Sequence, residues 1–271
     1  MTQLIHIISL GAGVQSSTMA LMAAAGEITP MPQFAVFADT GDEPAAVYRH
    51  LSYLEPLLPF PIRRAARKMD YFSTPESRRL SEHIVERGFS QIPVFIRGDN
   101  GKPALGKRQC TKHWKIVPVH QKIRAVLGTT GKTMDPESVV LWQGISMDEI
   151  SRMKPSRERF IKHRFPLIEM ELSRAGCISW LQAKGYAIPP KSACVFCPYK
   201  DRARWREDKE IGAGEWDLIR KVDAILAPRG EFLTADLKRI DEIDFSKPIQ
   251  RSEDPNQMHL FNNECEGMCG V

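Results

Sequence analysis

The chain has 271 residues, 42% of them hydrophobic, enough for one substantial α/β domain with a buried core and a small appendage. Its formal charge of +5 is a mild basic excess, compatible with a polyanionic partner or a phosphorylated substrate and diagnostic of neither. The apolar run Leu4–Leu10 is too short to cross a bilayer and follows no signal-peptide charge pattern, so a cytoplasmic protein with no membrane partner and no structural disulfides is expected.

Leu4–Leu10 reads as a buried strand, Ser16–Ala25 as a helix, Gln33–Ala38 as a second strand and Glu43–Leu57 as a second helix. The stretch Arg87–Lys107, with Gly98, Asp99, Asn100 and Gly101, reads as an exposed loop or hairpin. Ser138–Trp142, rich in Val and Leu, reads as a further strand, and Ser173–Trp180 as a helix that makes Cys177 a core thiol. A helix ends near Gly185, ahead of the Pro189-Pro190 break, and from Pro248 onward the chain is polar and expected to be irregular. The alternation predicts an α/β fold, a parallel sheet with helices on both faces in a Rossmann-like arrangement. The expected division is 1–185 as a nucleotide-binding α/β domain and 186–271 as a cysteine-containing helical region and tail. Ligands of such sheets bind beyond the carboxyl ends of the strands, so the segments after Leu10, Ala38 and Trp142 should form one site.

The first segment, Ser9-Leu10-Gly11-Ala12-Gly13-Val14-Gln15-Ser16-Ser17, joins strand to helix. Its small residues let backbone wrap phosphate oxygens, the helix start presents unpaired N–H groups, and Ser9, Ser16 and Ser17 add hydroxyl donors. Taken alone it is equally a tight βα turn with a serine cap. The second segment, Asp39-Thr40-Gly41-Asp42-Glu43, offers a carboxylate for ribose, magnesium or adenine-side groups. The third is Gly144-Ile145-Ser146-Met147-Asp148-Glu149 with Arg152 after it. Helix capping would explain each; three together point to a nucleotide site. Two basic clusters, Lys102, Lys107, Arg108, Lys112 and Lys115, and Arg152, Lys154, Arg157, Arg159, Lys162 and Arg164, are either solvated faces or a surface for a polyanion.

Cys194-Val195-Phe196-Cys197 has the spacing with which two thiolates of one turn bind one ion or cluster. Zinc held by Cys194, Cys197, Cys265 and Cys269 would simply clip the tail to the body.

On these residues the chain resembles the adenine nucleotide α-hydrolase (PP-loop ATP pyrophosphatase) superfamily, in its phosphoadenosine phosphosulfate reductase-like branch, over residues 4 to about 200. The family loop Ser-x-Ser-Gly-Gly-x-Asp-Ser is matched at Ser9, Gly11, Ala12, Gly13, Gln15 and Ser16, with Gln15 in place of the usual Asp. The Asp-Thr-Gly element is matched at Asp39-Thr40-Gly41, and a Gly-Ile element at Gly144-Ile145 with Asp148-Glu149 and Arg152. Phe165-Pro166-Leu167-Ile168 is similar to the branch's Pro-Leu segment. The resemblance implies ATP with Mg2+ as ligand, bound by Ser9, Gly11, Ala12, Gly13, Gln15, Ser16, Ser17, Asp39, Thr40, Gly41, Gly144 and Ile145. Asp148, Arg152 and Cys265 are the implied catalytic residues. The segment around Cys110 resembles one that carries cluster ligands in adenylyl sulfate reductases, which implies Cys110, Cys194 and Cys197, with Cys265 or Cys269, as ligands of a 4Fe-4S cluster, with zinc as the alternative.

Three functions follow from the resemblance. The first is an ATP pyrophosphatase that adenylylates nucleic acid, DNA or tRNA, for sulfur insertion, as in DNA phosphorothioation or tRNA thiolation. Its sulfur donor would be a partner such as a cysteine desulfurase, with other subunits of a modification complex. The second is a sulfonucleotide reductase with Cys265 as nucleophile. The third is a non-catalytic nucleotide-binding subunit of such a complex.

Overall fold

The computed structural model describes residues 4–67, 79–88 and 90–247. In chain order these form β1 (Ile5–Leu10), α1 (Val14–Ala24), β2 (Phe34–Asp39), α2 (Ala45–Leu54), β3 (Ile62–Ala66), α3 (Leu80–Arg87), β4 (Phe95–Arg97) and β5 (Pro103–Leu105). A π-helical turn (Thr111–Ile116) then leads into α4 (Val117–Val126), β6 (Val139–Gln143), a 3-10 segment (Met147–Arg152), β7 (Ile161–Arg164), α5 (Pro166–Glu169), α6 (Arg174–Ala183), α7 (Arg202–Ile211) and α8 (Ala213–Leu226). The described residues fall into two compact units, 4–67 with 111–192, and 79–88 and 90–110 with 193–247. Among them no helix is long and apolar enough to cross a membrane.

The first unit is built on a five-stranded sheet in the order β3-β2-β1-β6-β7, every neighbouring pair parallel. Strand alternation divides the side chains between two cores. Ile8, Leu10, Ala35, Phe37, Val140 and Trp142 meet α1, α2 and α6 through residues such as Met19, Leu51 and Leu181. Ile7, Val36, Ala38, Val139 and Leu141 point the other way and meet Val119 and Ile123 of α4. Helices therefore cover both faces, which is why the central strands read as near-continuous apolar runs. The edge strands β3 (IRRAA) and β7 (IKHR) carry charge because each has only one strand neighbour.

The chain winds outward from β1 through β2 to β3, then crosses by α4 to β6 and continues outward to β7. The winding direction reverses between β1 and β6, and such a switch point opens a crevice at the strands' carboxyl ends.

The second unit combines α3, the antiparallel hairpin β4–β5, α7 and α8. The hairpin lies within the stretch read from sequence as a loop or hairpin. Phe95 of β4 also exchanges two backbone hydrogen bonds with Phe232, of 2.7 and 2.8 Å. Trp205 stacks on Phe245, with Trp216 set edge-on to the same ring.

Candidate nucleotide site

The three segments singled out from the sequence all leave the carboxyl ends of β1, β2 and β6, which are neighbours in the sheet. After β1 the backbone turns through Ala12, which takes a left-handed φ of 57°, and enters α1 with Gly13 as its N-cap. A non-glycine residue in that region is strained, and strain of this kind collects at ligand sites. The turn is braced from within: Ser16 Oγ accepts from the Gly11 amide at 3.1 Å and contacts the Gly13 carbonyl at 3.4 Å. Ser192 Oγ donates to the Gly11 carbonyl from across the unit. The amides of the first turn, Val14, Gln15 and Ser16, have no intrahelical acceptor, and no acidic side chain occupies that turn. The arrangement presents a positive pole to an anion. Ser17 points elsewhere; its hydroxyl is fully buried 3.0 Å from His50 Nε2. Burial holds His50 down at about 4, so this imidazole is neutral at ordinary pH.

At the end of β2, Asp39 Oδ1 accepts from the Gly41 amide at 2.9 Å and from the Tyr48 hydroxyl at 2.8 Å. Burial and the Asp39 carboxylate together push the Tyr48 phenol above its usual range. Thr40, Asp42 and Glu43 are buried. Glu43 Oε1 accepts from Thr40 Oγ1 at 3.2 Å and lies 3.5 Å from Lys115 Nζ, with both ionic side chains at least 96% shielded from solvent. Lys115 is delivered by the π-helical turn, whose extra residue also buries Trp114 beneath Arg67. π-turns of this kind are frequent at functional sites.

At the end of β6, Gly144 packs on the phosphate-loop candidate itself. A Cβ there would stand 2.9 Å from both the Cα and the amide nitrogen of Ser16. Ile145 and Ser146 are fully buried. Asp148 Oδ2 accepts from Ser146 Oγ at 3.3 Å and from the Arg174 amide, so this carboxylate caps the start of α6. Glu149 pairs with Arg152 and accepts from Gln15 Nε2 at 3.4 Å, tying the segment after β6 to the loop after β1.

The sequence reading named the three segments but missed Lys115 as a residue of the interior, Glu149 as the partner of Gln15, and His50, Tyr48 and Ser192 altogether. Only tertiary pairing distinguishes these side chains from surface ones. Of the two basic clusters, four members are tied to carboxylates. Lys115 pairs with Glu43, Arg152 with Glu149, Lys162 with Glu137 at 3.3 Å, and Arg164 with Glu169 while also covering the Trp142 ring. Lys102, Lys107, Lys112, Lys154, Arg157 and Arg159 are exposed.

In the second unit Cys194–Cys197 forms a tight turn closed by a 3.0 Å bond from the Cys197 amide to the Cys194 carbonyl. Buried Lys200 locks it, donating to the Val195 carbonyl and to Asp208. Cys110 follows the hairpin, its amide bonded to the Gln91 carbonyl at 2.7 Å. Cys265 and Cys269 lie outside the described residues. Among the described residues no group of three or more His, Cys, Asp or Glu side chains is placed to hold a metal ion. Cys177 is fully buried in α6, and burial pushes its thiol up to about 11, as suits a core residue.

Neither a protein-family model nor a curated protein matches the chain.

Proposed function

We propose that the chain binds ATP, as its Mg2+ complex, across the β1–β6 switch point and acts on the α-phosphate. The reaction proposed is adenylylation of an oxygen of a nucleic acid, DNA or tRNA, for replacement by sulfur. The observation that carries the reading is the loop from Ser9 to Ser17: a left-handed Ala12, a glycine cap on α1, and Gly144 seated without a side chain against Ser16. That combination offers first-turn amides to an anion and leaves no side-chain bulk in the way.

In this reading the amides of Val14, Gln15 and Ser16 hold the phosphate chain and stabilise the charge that develops as the acceptor oxygen attacks the α-phosphorus and pyrophosphate leaves. A sulfur nucleophile supplied by a partner such as a cysteine desulfurase then displaces AMP. Arg152, anchored by Glu149, lies on the strand-end segment that faces this loop and is the guanidinium available to the departing phosphates. Asp148 acts at one remove, by fixing that segment to α6. The exposed lysines and arginines of the two basic clusters are the candidates for contact with the polyanion.

A second reading, a nucleotide-binding subunit without turnover, is favoured by Gln15, whose carboxamide is tied to Glu149 and gives the loop no carboxylate of its own. One experiment separates the two. The full chain is incubated with ATP, Mg2+, a sulfur donor and either duplex DNA or tRNA, and the nucleotide products are resolved. AMP and pyrophosphate in equal amounts support the enzyme, and binding without products supports the subunit. ADP with phosphate, or no ATP binding at all, sinks both.

A further inference from the structure

The hairpin β4–β5 is braced at its root and bare beyond it. At the root Phe95 is buried and bonded to Phe232 through both backbone groups, and the Gly106 amide donates to the Val94 carbonyl at 2.7 Å. From Ile96 to Ala104 every residue is exposed except Gly98, which is partly so. The projecting ribbon is nevertheless fixed in shape. The Gly98 amide donates to the Lys102 carbonyl and the Gly101 amide to the Gly98 carbonyl, both at 2.9 Å. Asn100 Oδ1 accepts from the Lys102 amide at 3.0 Å, and Arg97 Nη1 donates to the Gly101 carbonyl at 3.3 Å. A tip closed by its own hydrogen bonds loses little conformational freedom on meeting a partner.

What the ribbon offers is side chains rather than strand edges. The outer edge of β4 is taken at Phe95 by Phe232, and β5 opens with Pro103, which has no N–H to donate. Another protein strand therefore finds little to pair with. The register sets Ile96 opposite Ala104 and Arg97 opposite Pro103, so alternation places Ile96 on the face away from buried Phe95, where it is 40% exposed. The bonded pair Gly98 and Lys102 continues that face, from which Ile96 and Lys102 rise between the small residues Gly98 and Ala104. Between residues 96 and 107 the cations Arg97, Lys102 and Lys107, all exposed, outnumber the one acid, Asp99.

Among polyanions one shape matches this ribbon. The major groove of B-form DNA is about 12 Å wide and admits two antiparallel strands, with cations meeting the phosphates of its walls and an apolar side chain meeting base edges. The major groove of A-form RNA is too deep and narrow for the same entry. We infer that the β4–β5 hairpin enters the major groove of duplex DNA, with Arg97 and Lys102 on phosphates and Ile96 against base edges, and so selects DNA over structured RNA. The inference rests on the reading of a nucleic acid as acceptor and narrows it to one kind.

The test is fluorescence anisotropy of the full chain with a short DNA duplex, the RNA duplex of the same sequence and single-stranded DNA, over a series of salt concentrations. The DNA duplex is expected to bind about tenfold or more tightly than either alternative. Arg97→Ala combined with Lys102→Ala should weaken that binding about tenfold or more and reduce the salt slope by about two, the signature of two lost phosphate contacts. Ile96→Ser should weaken it several-fold with the salt slope unchanged, and Asp99→Asn should tighten it several-fold. Affinity for ATP, titrated in the same variants, should match that of the parent. Equal affinity for the DNA and RNA duplexes overturns the inference, as does a double variant that binds DNA like the parent. A hairpin that drives self-association in place of DNA binding overturns it as well. Each of these outcomes leaves the ATP site standing, whereas hairpin-dependent DNA binding by a chain that takes up no ATP upholds the inference and removes the phosphate-site reading alone.

Discussion

Gly144, just after β6, and Ser16, in the first turn of α1, are far apart in sequence, yet a Cβ on Gly144 would stand 2.9 Å from the Ser16 backbone. A glycine here is a condition of close approach: its φ is not the issue, and the missing Cβ is. Gly144→Ala should drive the end of β6 away from the loop, at a cost of about 1–3 kcal/mol, the usual range for overpacking a tight interior contact. ATP affinity should fall about tenfold, since the displaced amides are the ones proposed to hold the phosphate chain. Calorimetric titration and a urea melt of the same variant read the two effects separately; unchanged ATP affinity in a stable variant would remove Gly144 from the site. At this scale the sequence was informative about backbone chemistry and silent about side-chain pairing. Gly11, Gly13 and Gly144 declare themselves through what they lack. Glu149 looks like any acid of a helix start until Gln15 is seen to reach it, and Ser17 reads as a loop donor until its hydroxyl is seen against His50.

Among the elements, the central strands and their helices were legible because burial on both faces leaves apolar runs that need no partner to be recognised. β1, β2 and β6 fall within a residue or so of the expected Leu4–Leu10, Gln33–Ala38 and Ser138–Trp142, and α1 starts two residues before the expected Ser16. β3 and β7 were not legible, since Arg63, Arg64, Lys162 and His163 break the pattern that marks a strand, and they are strands only because β2 and β6 offer their edges. The π-turn was illegible for a different reason. Its one extra residue rotates Lys115 from a basic surface stripe into the interior against Glu43. Losing one member of such a buried pair costs about 3–5 kcal/mol, because the remaining charge keeps its desolvation penalty. Lys115→Met is expected to lose that much in a urea melt, and adding Glu43→Gln should recover a large part of it. A Lys115→Met loss below about 1 kcal/mol, typical of an exposed residue, would contradict the buried pairing.

For the molecule as a whole, the buried histidines contribute a dependence of stability on acid pH. His50 and His120 are each held at about 4, below the ordinary 6.5, in both cases mainly by burial, with the charges of His163 and Arg124 adding to the effect at His120. His163 is lowered by burial as well. A lowered folded pKa means that the unfolded chain takes up these protons first. Their contribution is therefore complete above about pH 6.5, is lost as the pH falls through the interval, and falls no further below about pH 4. Each of the two histidines should account for on the order of 1–3 kcal/mol across that window. Thermal melts between pH 7 and pH 4 should show the decline, and His50→Gln with His120→Gln should flatten it. An equally steep decline in the double variant would assign the acid sensitivity to other groups.

The second unit is contributed by two separate stretches of chain, one leaving the sheet after β3 and returning before the π-turn, the other following residue 192. Such an appendage cannot be shed in one cut. Ending the gene at codon 192 would strand the hairpin without Phe232 and leave the Phe95 edge with unanswered amide and carbonyl groups. A viable minimal version needs a second edit that bridges the excursion. Descendants that dispense with the cysteine-bearing part would thus be reached only through an intermediate that carries a sticky, half-built strand, a barrier that favours inheritance of both units together.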